Sequence, residues 1–322
     1  MRNYRMRDVV IVGGGLSGLV AAVELAKTDL DVTLIEVKRH LGGTLKSVAH
    51  DGTIFDNGTM ALAPTFDDAW LASLDLDDAL FTLDSNSDAV TFKGGTGQLI
   101  LALQSQVTAT RLMRMAVSSI GEIEQGLLGV CLENGIMFDA QALILAVPAR
   151  YAERMFYSYN DTIADELRAY RYDILHRVSL VCASDALPER ISNPPDMGYT
   201  FIHSTRHPSR VPDGYMLIQF GLRLSPEHIT NGAQLIEGIC TQFHLPTPLA
   251  SHISYWAEAD PISCYDLDHI ERIARIRAQL PSRIALIGSD YNTTPPIKHG
   301  ILQLQERIQQ GKDAAQQILA SR

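Results

Sequence analysis

Short apolar runs divide the first forty residues into a predicted strand, helix and strand. Residues 9–12 form a β-branched run typical of a strand buried on both faces, and the run stops at three glycines. Residues 32–35 repeat that pattern and end at Glu36. Between these runs, four apolar residues recur at i, i+3, i+4 and i+7, as on one face of a helix: Leu16, Leu19, Val20 and Val23. The order predicts two parallel strands joined by a crossover helix.

Five further segments carry strand or helix patterns, separated by Gly, Pro or Asn-Gly turns. In order, they predict a short acidic helix plus a turn at 64–88, a strand at 90–92, a helix at 98–107, a strand meander at 113–140 and a buried strand at 142–147. Asn134-Gly135 marks a hairpin turn within the meander.

The second half of the chain interleaves helices with strands. Four runs predict one additional sheet, at 176–182, 199–202, 215–220 and 252–256. A helix is predicted at 229–243. Near the end, an apolar run from residue 284 closes with Gly288-Ser289-Asp290 and predicts a last parallel strand. A final helix follows, with one face made by Leu304, Ile308, Gly311, Ala315 and Leu319.

Composition and charge favour a protein that handles small molecules. The 322 residues include 27 basic and 37 acidic side chains, and the net charge of −10 argues against a nucleic-acid or anionic-membrane surface. No apolar stretch approaches the length of a membrane span. The four cysteines are far apart in the sequence and form no CxxC pair, so we expect free thiols, a reducing, cytoplasmic location and no metal site.

The glycine turn after the first strand has the spacing of a dinucleotide-binding fingerprint, GxGxxG. Gly13 permits a tight turn, Gly15 lets the backbone approach a pyrophosphate, and Gly18 allows close packing of helix on sheet. The phosphates then meet the first helical N–H groups, at Leu16 and Ser17. About 20 residues further on, Glu36 is placed to accept the ribose hydroxyls. The pattern predicts a bound adenine dinucleotide.

A second glycine pair, Gly42-Gly43, follows Glu36 and distinguishes flavin from nicotinamide enzymes. With these residues the chain resembles the glutathione-reductase-like flavoproteins, and among them the amine oxidase and protoporphyrinogen oxidase superfamily. The stretch from Trp256 to Ile273 is similar to a protoporphyrinogen oxidase segment. The resemblance implies FAD as cofactor, held without a covalent bond because residues 291–300 contain no cysteine.

The resemblance also implies which residues contact FAD. They are the fingerprint residues Gly13, Gly15, Leu16, Ser17 and Gly18, then Glu36, Val37, Lys38, Gly42, Gly43 and Thr44, the loop Asn57-Gly58-Thr59, and finally Val117, Gly288, Asp290 and Ile308. Three of these positions have an alternative interpretation. Lys38 is also typical of a solvated turn, and residues 57–59 are also typical of an ordinary loop. Val117 is also typical of a valine in the core.

Asp29 stands where a glycine is usual before the second strand, and two further departures from the superfamily pattern matter. Thr44 stands where many relatives carry an arginine that pairs with the pyrophosphate, and Lys38 is the expected replacement. Between Gly58 and Gly94, the long insertion that builds most of the relatives' substrate domain is nearly absent. The sequence does not identify catalytic residues, but it offers two candidates. Lys298 would lie beside the flavin ring, and the alternative is a solvated loop lysine. Trp256 would form part of the pocket wall, and the alternative is a tryptophan that fills the core.

The sequence thus predicts an α/β fold with a Rossmann-like, glutathione-reductase-type FAD-binding domain and a sheet-plus-helix substrate domain. The first comprises residues 1–62, 94–150 and 275–322, and the second 63–93 and 151–274. The expected function is that of a soluble oxidoreductase passing hydride from a substrate C–H or C–N bond to flavin N5, with dioxygen or another acceptor removing the electrons. The alternative is a flavin-binding protein without turnover that serves a redox or tetrapyrrole partner as scaffold or chaperone.

Overall fold

The computed structural model describes residues 6–123, 126–189, 191, 199–223, 231–261, 267–294 and 300–322. In chain order its elements are β1 (Arg7–Val12), α1 (Leu16–Leu25), β2 (Val32–Glu36), β3 (Ser47–His50), β4 (Thr53–Asp56), α2 (Asp68–Ala72), β5 (Leu80–Leu83), β6 (Asn86–Phe92), α3 (Gly97–Gln106), β7 (Thr110–Met113), β8 (Val117–Glu122), β9 (Leu128–Leu132), β10 (Met137–Leu145), α4 (Ala149–Phe156), α5 (Asp161–Arg168), β11 (Tyr172–Ala183), β12 (Tyr199–Thr205), β13 (Tyr215–Leu222), α6 (Gly232–Phe243), β14 (Ala250–Pro261), α7 (His269–Gln279), β15 (Ile284–Leu286) and α8 (Gln305–Ala320).

The larger sheet has the strand order β7-β2-β1-β10-β9-β8, with β15 also paired to β10. β1 runs parallel to both neighbours, so that Ile11 lies opposite Leu34 of β2 and Ile144 of β10. All three side chains are fully buried. Helices α1, α3 and α8 pack on one face, and α4, α5 and α7 pack on the other. Burial on both faces explains the continuous apolar runs of the central strands.

β10 joins two predicted segments into one strand. Its first half pairs antiparallel with β9, with Ala140 opposite Leu128. Its second half pairs parallel with β15, with Leu143 opposite Ile284. The separate strands expected at the end of the meander and at 142–147 are therefore a single strand. The change from alternating to continuous apolar residues reflects a change from one covered face to two.

The second sheet confirms the prediction that four runs pair with one another. Its order is β12-β13-β11-β14, and all its pairs are antiparallel. One face packs on α6, which contributes Ile239 and Phe243 to an apolar cluster with Val178 and Phe220. The opposite face carries the polar side chains of Gln219, His252 and Ser254, which contact the segment after β4, and that of Ser179, which accepts from the Gln219 amide.

Residues 64–88 contain the predicted short helix, α2, capped by the Asp67 carboxylate, which accepts from Trp70 N at 3.1 Å. They also contain most of a hairpin, β5–β6, which the sequence analysis did not predict beyond 90–92. Among the helices described, none combines the length and apolar character that a bilayer span requires.

The division into two domains stays a prediction. The packing of the helices after β10 concerns the boundary predicted at residue 150. The predicted boundary after residue 150 falls within α4, and it assigns the rest of α4 and all of α5 to the substrate domain. In the structure they share an apolar cluster with β1 and β10, through residues such as Phe156, Ile163 and Leu167. A boundary at residue 150 would separate the larger sheet from helices that cover it.

Candidate functional site

A cavity of about 570 Å³ lies where the parallel strands of the larger sheet end. Val12 closes β1, Glu36 closes β2, Ala146 follows β10, and Gly288 follows β15, and all four residues line the cavity. In open parallel sheets, ligands bind outside the carboxyl ends of the strands. The cavity therefore occupies the position at which this kind of sheet binds its ligands.

The glycine turn opens the N-terminus of α1 to this cavity. Gly13 has φ +100°, and a Cβ there would lie 2.2 Å from the carbonyl oxygen of Ala146. A Cβ at Gly15, which lines the cavity, would meet nothing within 4 Å. The buried Ser17 hydroxyl, also on the cavity wall, has no hydrogen-bond partner among the described residues. These features fit a phosphate group held by the N–H groups and hydroxyl of the first helical turn.

The Glu36 carboxylate organises the backbone on the neighbouring wall. It is 6% exposed, and its oxygens accept from the backbone N–H of Gly14 at 2.7 Å and of Lys38 at 2.8 Å. The N–H of Gly42 donates to the Gly14 carbonyl at 2.7 Å. Thus the glycine turn, the end of β2 and the second glycine pair form one hydrogen-bonded unit around the cavity.

Most of the residues expected to contact the cofactor line this one cavity. They are Gly13, Gly15, Leu16, Ser17, Glu36, Val37, Lys38, Gly42, Gly43, Thr44, Val117, Gly288 and Asp290. Gly18 lies behind the turn, where its hypothetical Cβ would be 2.0 Å from the Gly13 carbonyl. Ile308 is fully buried in the apolar core, and Arg307 beside it lines the cavity instead.

Asn57, Gly58 and Thr59 do not line the cavity but lie directly behind its wall. The N–H of Asn57 donates to the Lys46 carbonyl at 2.8 Å, and a Cβ at Gly58 would be 3.1 Å from the Thr44 carbonyl. The segment therefore runs beside the residues between the second glycine pair and β3.

A network of buried polar groups fixes this segment from the second sheet. Asp56 and Arg210 form an ion pair at 2.6 Å, with both side chains fully buried. The Gln219 amide accepts from Met60 N at 2.9 Å and donates to the carbonyls of Asp56 at 3.2 Å and Gly58 at 3.0 Å. Buried polar groups with satisfied hydrogen bonds favour one backbone arrangement over alternatives.

His252 adds a further contact between the sheet and the segment. Its Nε2 lies 2.7 Å from the Asn57 side-chain oxygen, and the Ser254 hydroxyl donates to the Asn57 carbonyl at 2.6 Å. Burial, together with the positive charge of Lys46, lowers the pKa of His252. The imidazole is therefore neutral at neutral pH and donates its Nε2–H to the amide oxygen.

The structure gives Asp290 contacts that its sequence position did not indicate. One carboxylate oxygen accepts from Ala149 N at the start of α4, at 2.8 Å, and from the Tyr172 hydroxyl. The other oxygen accepts from the Ser289 hydroxyl at 3.1 Å. Burial raises the pKa of Asp290. The carboxylate thus joins the end of β15 to α4, and its expected contact with the ribityl chain stays a prediction.

Comparisons with known proteins agree on the fold. Residues 11–75 match the family of NAD(P)-binding Rossmann-like domains. A crystal structure of a candidate protoporphyrinogen oxidase from Exiguobacterium sp. 255-15 aligns over 98% of this chain and 99% of that one, with a TM-score of 0.78 and 15% identity. A putrescine oxidase bound to putrescine aligns over the same shares, with a TM-score of 0.69 and 15% identity.

Sequence relatives match a short part of the chain. Mitochondrial protoporphyrinogen oxidase of Nicotiana tabacum is 40% identical over 57 residues, 18% of this chain and 11% of that protein. Carotenoid 3,4-desaturase of Haloarcula japonica is 47% identical over 58 residues, 18% of this chain and 12% of that protein. The chain thus spans about a tenth of the length of the curated relatives it matches.

The resemblance to the amine oxidase and protoporphyrinogen oxidase flavoproteins is confirmed. So is the predicted fold, a Rossmann-like α/β domain with a second, sheet-rich part. In this fold, residues from both ends of the chain line the cavity, because β1 and β15 lie on either side of β10.

Neither candidate catalytic residue is fully described. Trp256 lies in β14 opposite Leu175, and its side chain lies outside the described part of the structure, as does Lys298. The described residues contain no group of three or more His, Cys, Asp or Glu side chains arranged to hold a metal ion. Two histidines that lie four residues apart, His203 and His207, have other contacts. The ring of His203 stacks on Phe201, and His207 Nδ1 lies 2.8 Å from the Ser209 hydroxyl.

Several cavity residues have no counterpart in the sequence analysis. They are Met115, Ala116, Ser118 and Glu133 at one end, Tyr151, Arg154 and Met155 of α4, and Arg307 of α8. The α4 residues follow β10, which ends at the cavity. Their position just after this strand was the only sequence feature that could have indicated them. Arg307 is a charged residue in the first turn of the final helix, next to the apolar residue that was chosen.

Proposed function

We propose that this chain binds FAD non-covalently in the cavity and is an FAD-dependent oxidoreductase. The observation that carries the proposal is that the glycine turn, Glu36, the second glycine pair and the end of β15 line one cavity. The flavoprotein fold shared with an amine oxidase over nearly the whole chain supports flavin over a nicotinamide cofactor.

The residues present fit the parts of FAD. The first turn of α1, with Gly15 and Ser17, would hold the pyrophosphate. Glu36 would accept the hydroxyls of the adenosine ribose while keeping its bonds to the backbone. Val117, at the start of β8, lines the cavity and would contact the adenine.

When bound, FAD supplies an acceptor for hydride from a substrate C–H or C–N bond. The chain's own contribution is to position the substrate against the cofactor and to enclose both. The segment at 56–60 is held rigidly by Arg210, Gln219 and His252, which keeps the wall behind the glycine pair in one place. Lys298 and Trp256 remain the proposed residues beside the reacting atoms, and dioxygen or another acceptor would remove the electrons.

The proposal is tested by the absorption spectrum of the purified protein, followed by anaerobic addition of electron donors. We expect a flavin spectrum, release of unmodified FAD on denaturation, and bleaching by one class of donor. Amines, a porphyrinogen and a dihydronicotinamide are the donors to compare. Protein that neither contains nor takes up FAD would contradict the proposal.

A second function is a flavin-binding protein without turnover that serves a redox or tetrapyrrole partner. It is favoured by the short connection between Gly58 and Gly94, which here forms only α2 and the β5–β6 hairpin. FAD uptake without bleaching by any donor, together with recovery of a bound partner, would support it. Peroxide release from a small substrate would exclude it.

A further inference from the structure

We infer that Arg307 is the side chain that neutralises the pyrophosphate of the bound dinucleotide, an inference that rests on the proposed binding of FAD. A pyrophosphate brings two negative charges into the cavity. The first turn of α1 offers N–H groups and the Ser17 hydroxyl but contains no basic residue. Among the described residues, the basic side chains that line the cavity are Lys38, Arg154 and Arg307.

Helix packing places Arg307 near the start of α1. At Gly311, the two helices are so close that a Cβ would lie 2.7 Å from the Ser17 carbonyl oxygen and 2.7 Å from Val20 Cβ. Arg307 is four residues earlier, on the same face of α8 and one turn nearer its N-terminus. Arg307 accordingly lines the cavity together with Gly15 and Ser17.

A second set of contacts fixes α8 against the end of β15. The Gln310 side-chain oxygen accepts from Gly288 N at 2.7 Å, and its amide donates to Asn292 Oδ1 at 2.9 Å. The positive charge of Arg307 acts on the buried carboxyl of Asp290 and opposes the rise that burial causes in its pKa. Arg307 thus lines one cavity with Ser17 and residues 288–290, and its charge acts on Asp290.

The neighbouring charge in α8 points elsewhere. The Glu306 carboxylate accepts from the backbone N–H of Thr293 and, at 3.0 Å, from that of Thr294. The first turn of α8 therefore directs its negative charge to this loop and its positive charge to the cavity. Lys38 lies two residues after Glu36, the proposed ribose ligand, and Arg154 lies on α4, whereas Arg307 lies on the helix that packs against the start of α1.

The test compares the affinity of apoprotein for ADP, adenosine and FAD in Arg307→Gln and Arg307→Lys. Lys312→Gln is the control, because Lys312 lies on the same helix, beside Trp70 and Asp67. Loss of a charge-assisted contact to phosphate corresponds to about ten- to a hundredfold weaker binding. We expect that loss for ADP and FAD in Arg307→Gln, a smaller one in Arg307→Lys, and less than about a twofold change for adenosine.

The outcomes separate this inference from the proposed function. If Arg307→Gln binds ADP as tightly as the wild type, the inference is overturned, and a loss confined to FAD would place Arg307 at the flavin instead. An equal loss for adenosine and ADP would also overturn it, because adenosine has no phosphate. If the wild type binds neither FAD nor ADP, the proposed function itself fails. Thermal unfolding of each apo variant shows whether the variant folds. If Arg307→Gln does not fold, the comparison of Arg307→Lys with the wild type still decides the test.

Discussion

Replacement of Arg210 by methionine should strongly destabilise the protein. Arg210 is fully buried and donates to the Asp56 carboxylate at 2.6 Å, to the Ile54 carbonyl at 3.0 Å and to Thr91 Oγ1 at 2.9 Å. Methionine fills similar volume but leaves a buried carboxylate without its counter-charge. Removing one partner of a buried ion pair typically costs about 3–5 kcal/mol. That is a large fraction of the ~5–15 kcal/mol by which a typical domain is stable.

The assay is urea unfolding followed by tryptophan fluorescence, with Arg283→Met as the matched control. Arg283 also pairs with a carboxylate, Glu122, at 2.7 Å, but the two side chains are 25% and 56% exposed. An exposed pair contributes about 0–1 kcal/mol. The double variant Arg210→Met/Asp56→Asn should recover part of the loss, because it removes the unpaired charge. Equal effects of Arg210→Met and Arg283→Met would refute the reasoning.

Three further predictions concern single side chains. Gly15→Ala should leave the melting temperature of the apoprotein within a few degrees of the wild type but weaken FAD binding in a fluorescence titration, whereas Gly18→Ala should lower the melting temperature because its Cβ meets backbone at 2.0 Å. Glu36→Gln should weaken FAD binding about tenfold, through the loss of a charged acceptor; unchanged affinity in calorimetry would contradict this role. Burial raises the pKa of the Cys182 thiol to about 12, so native alkylation at pH 8 mapped by mass spectrometry should modify Cys131 and spare Cys182.

Local patterns made the cavity predictable. The glycine turn, the strand before it and Glu36 lie within one strand–helix–strand unit, where sequence spacing determines spatial position. The same holds for Gly288, which follows a predicted parallel strand. Parallel strands bring their carboxyl ends to one edge, so Gly13 and Gly288 were expected to meet although they lie far apart in the sequence.

Contacts between distant segments were not predictable. Arg210 lies in a Pro-containing loop, and nothing in its local sequence indicates a buried ion pair with Asp56. The Asp290 carboxylate likewise contacts α4, whose position depends on how helices pack on the sheet. The sequence analysis predicted that Ile308, rather than Arg307, contacts the cofactor, and this difference from the structure has another cause. Adjacent helix positions differ by about 100° in direction, so the apolar residue faces the core and its neighbour faces the cavity.

The most direct test of the central claim is a titration of the purified apoprotein with FAD, followed by absorbance and flavin fluorescence. We predict saturable uptake at one FAD per chain, a flavin spectrum that persists after gel filtration, and competition by ADP. A protein that stays colourless after reconstitution, with no competition between FAD and ADP, would contradict the account of the cavity.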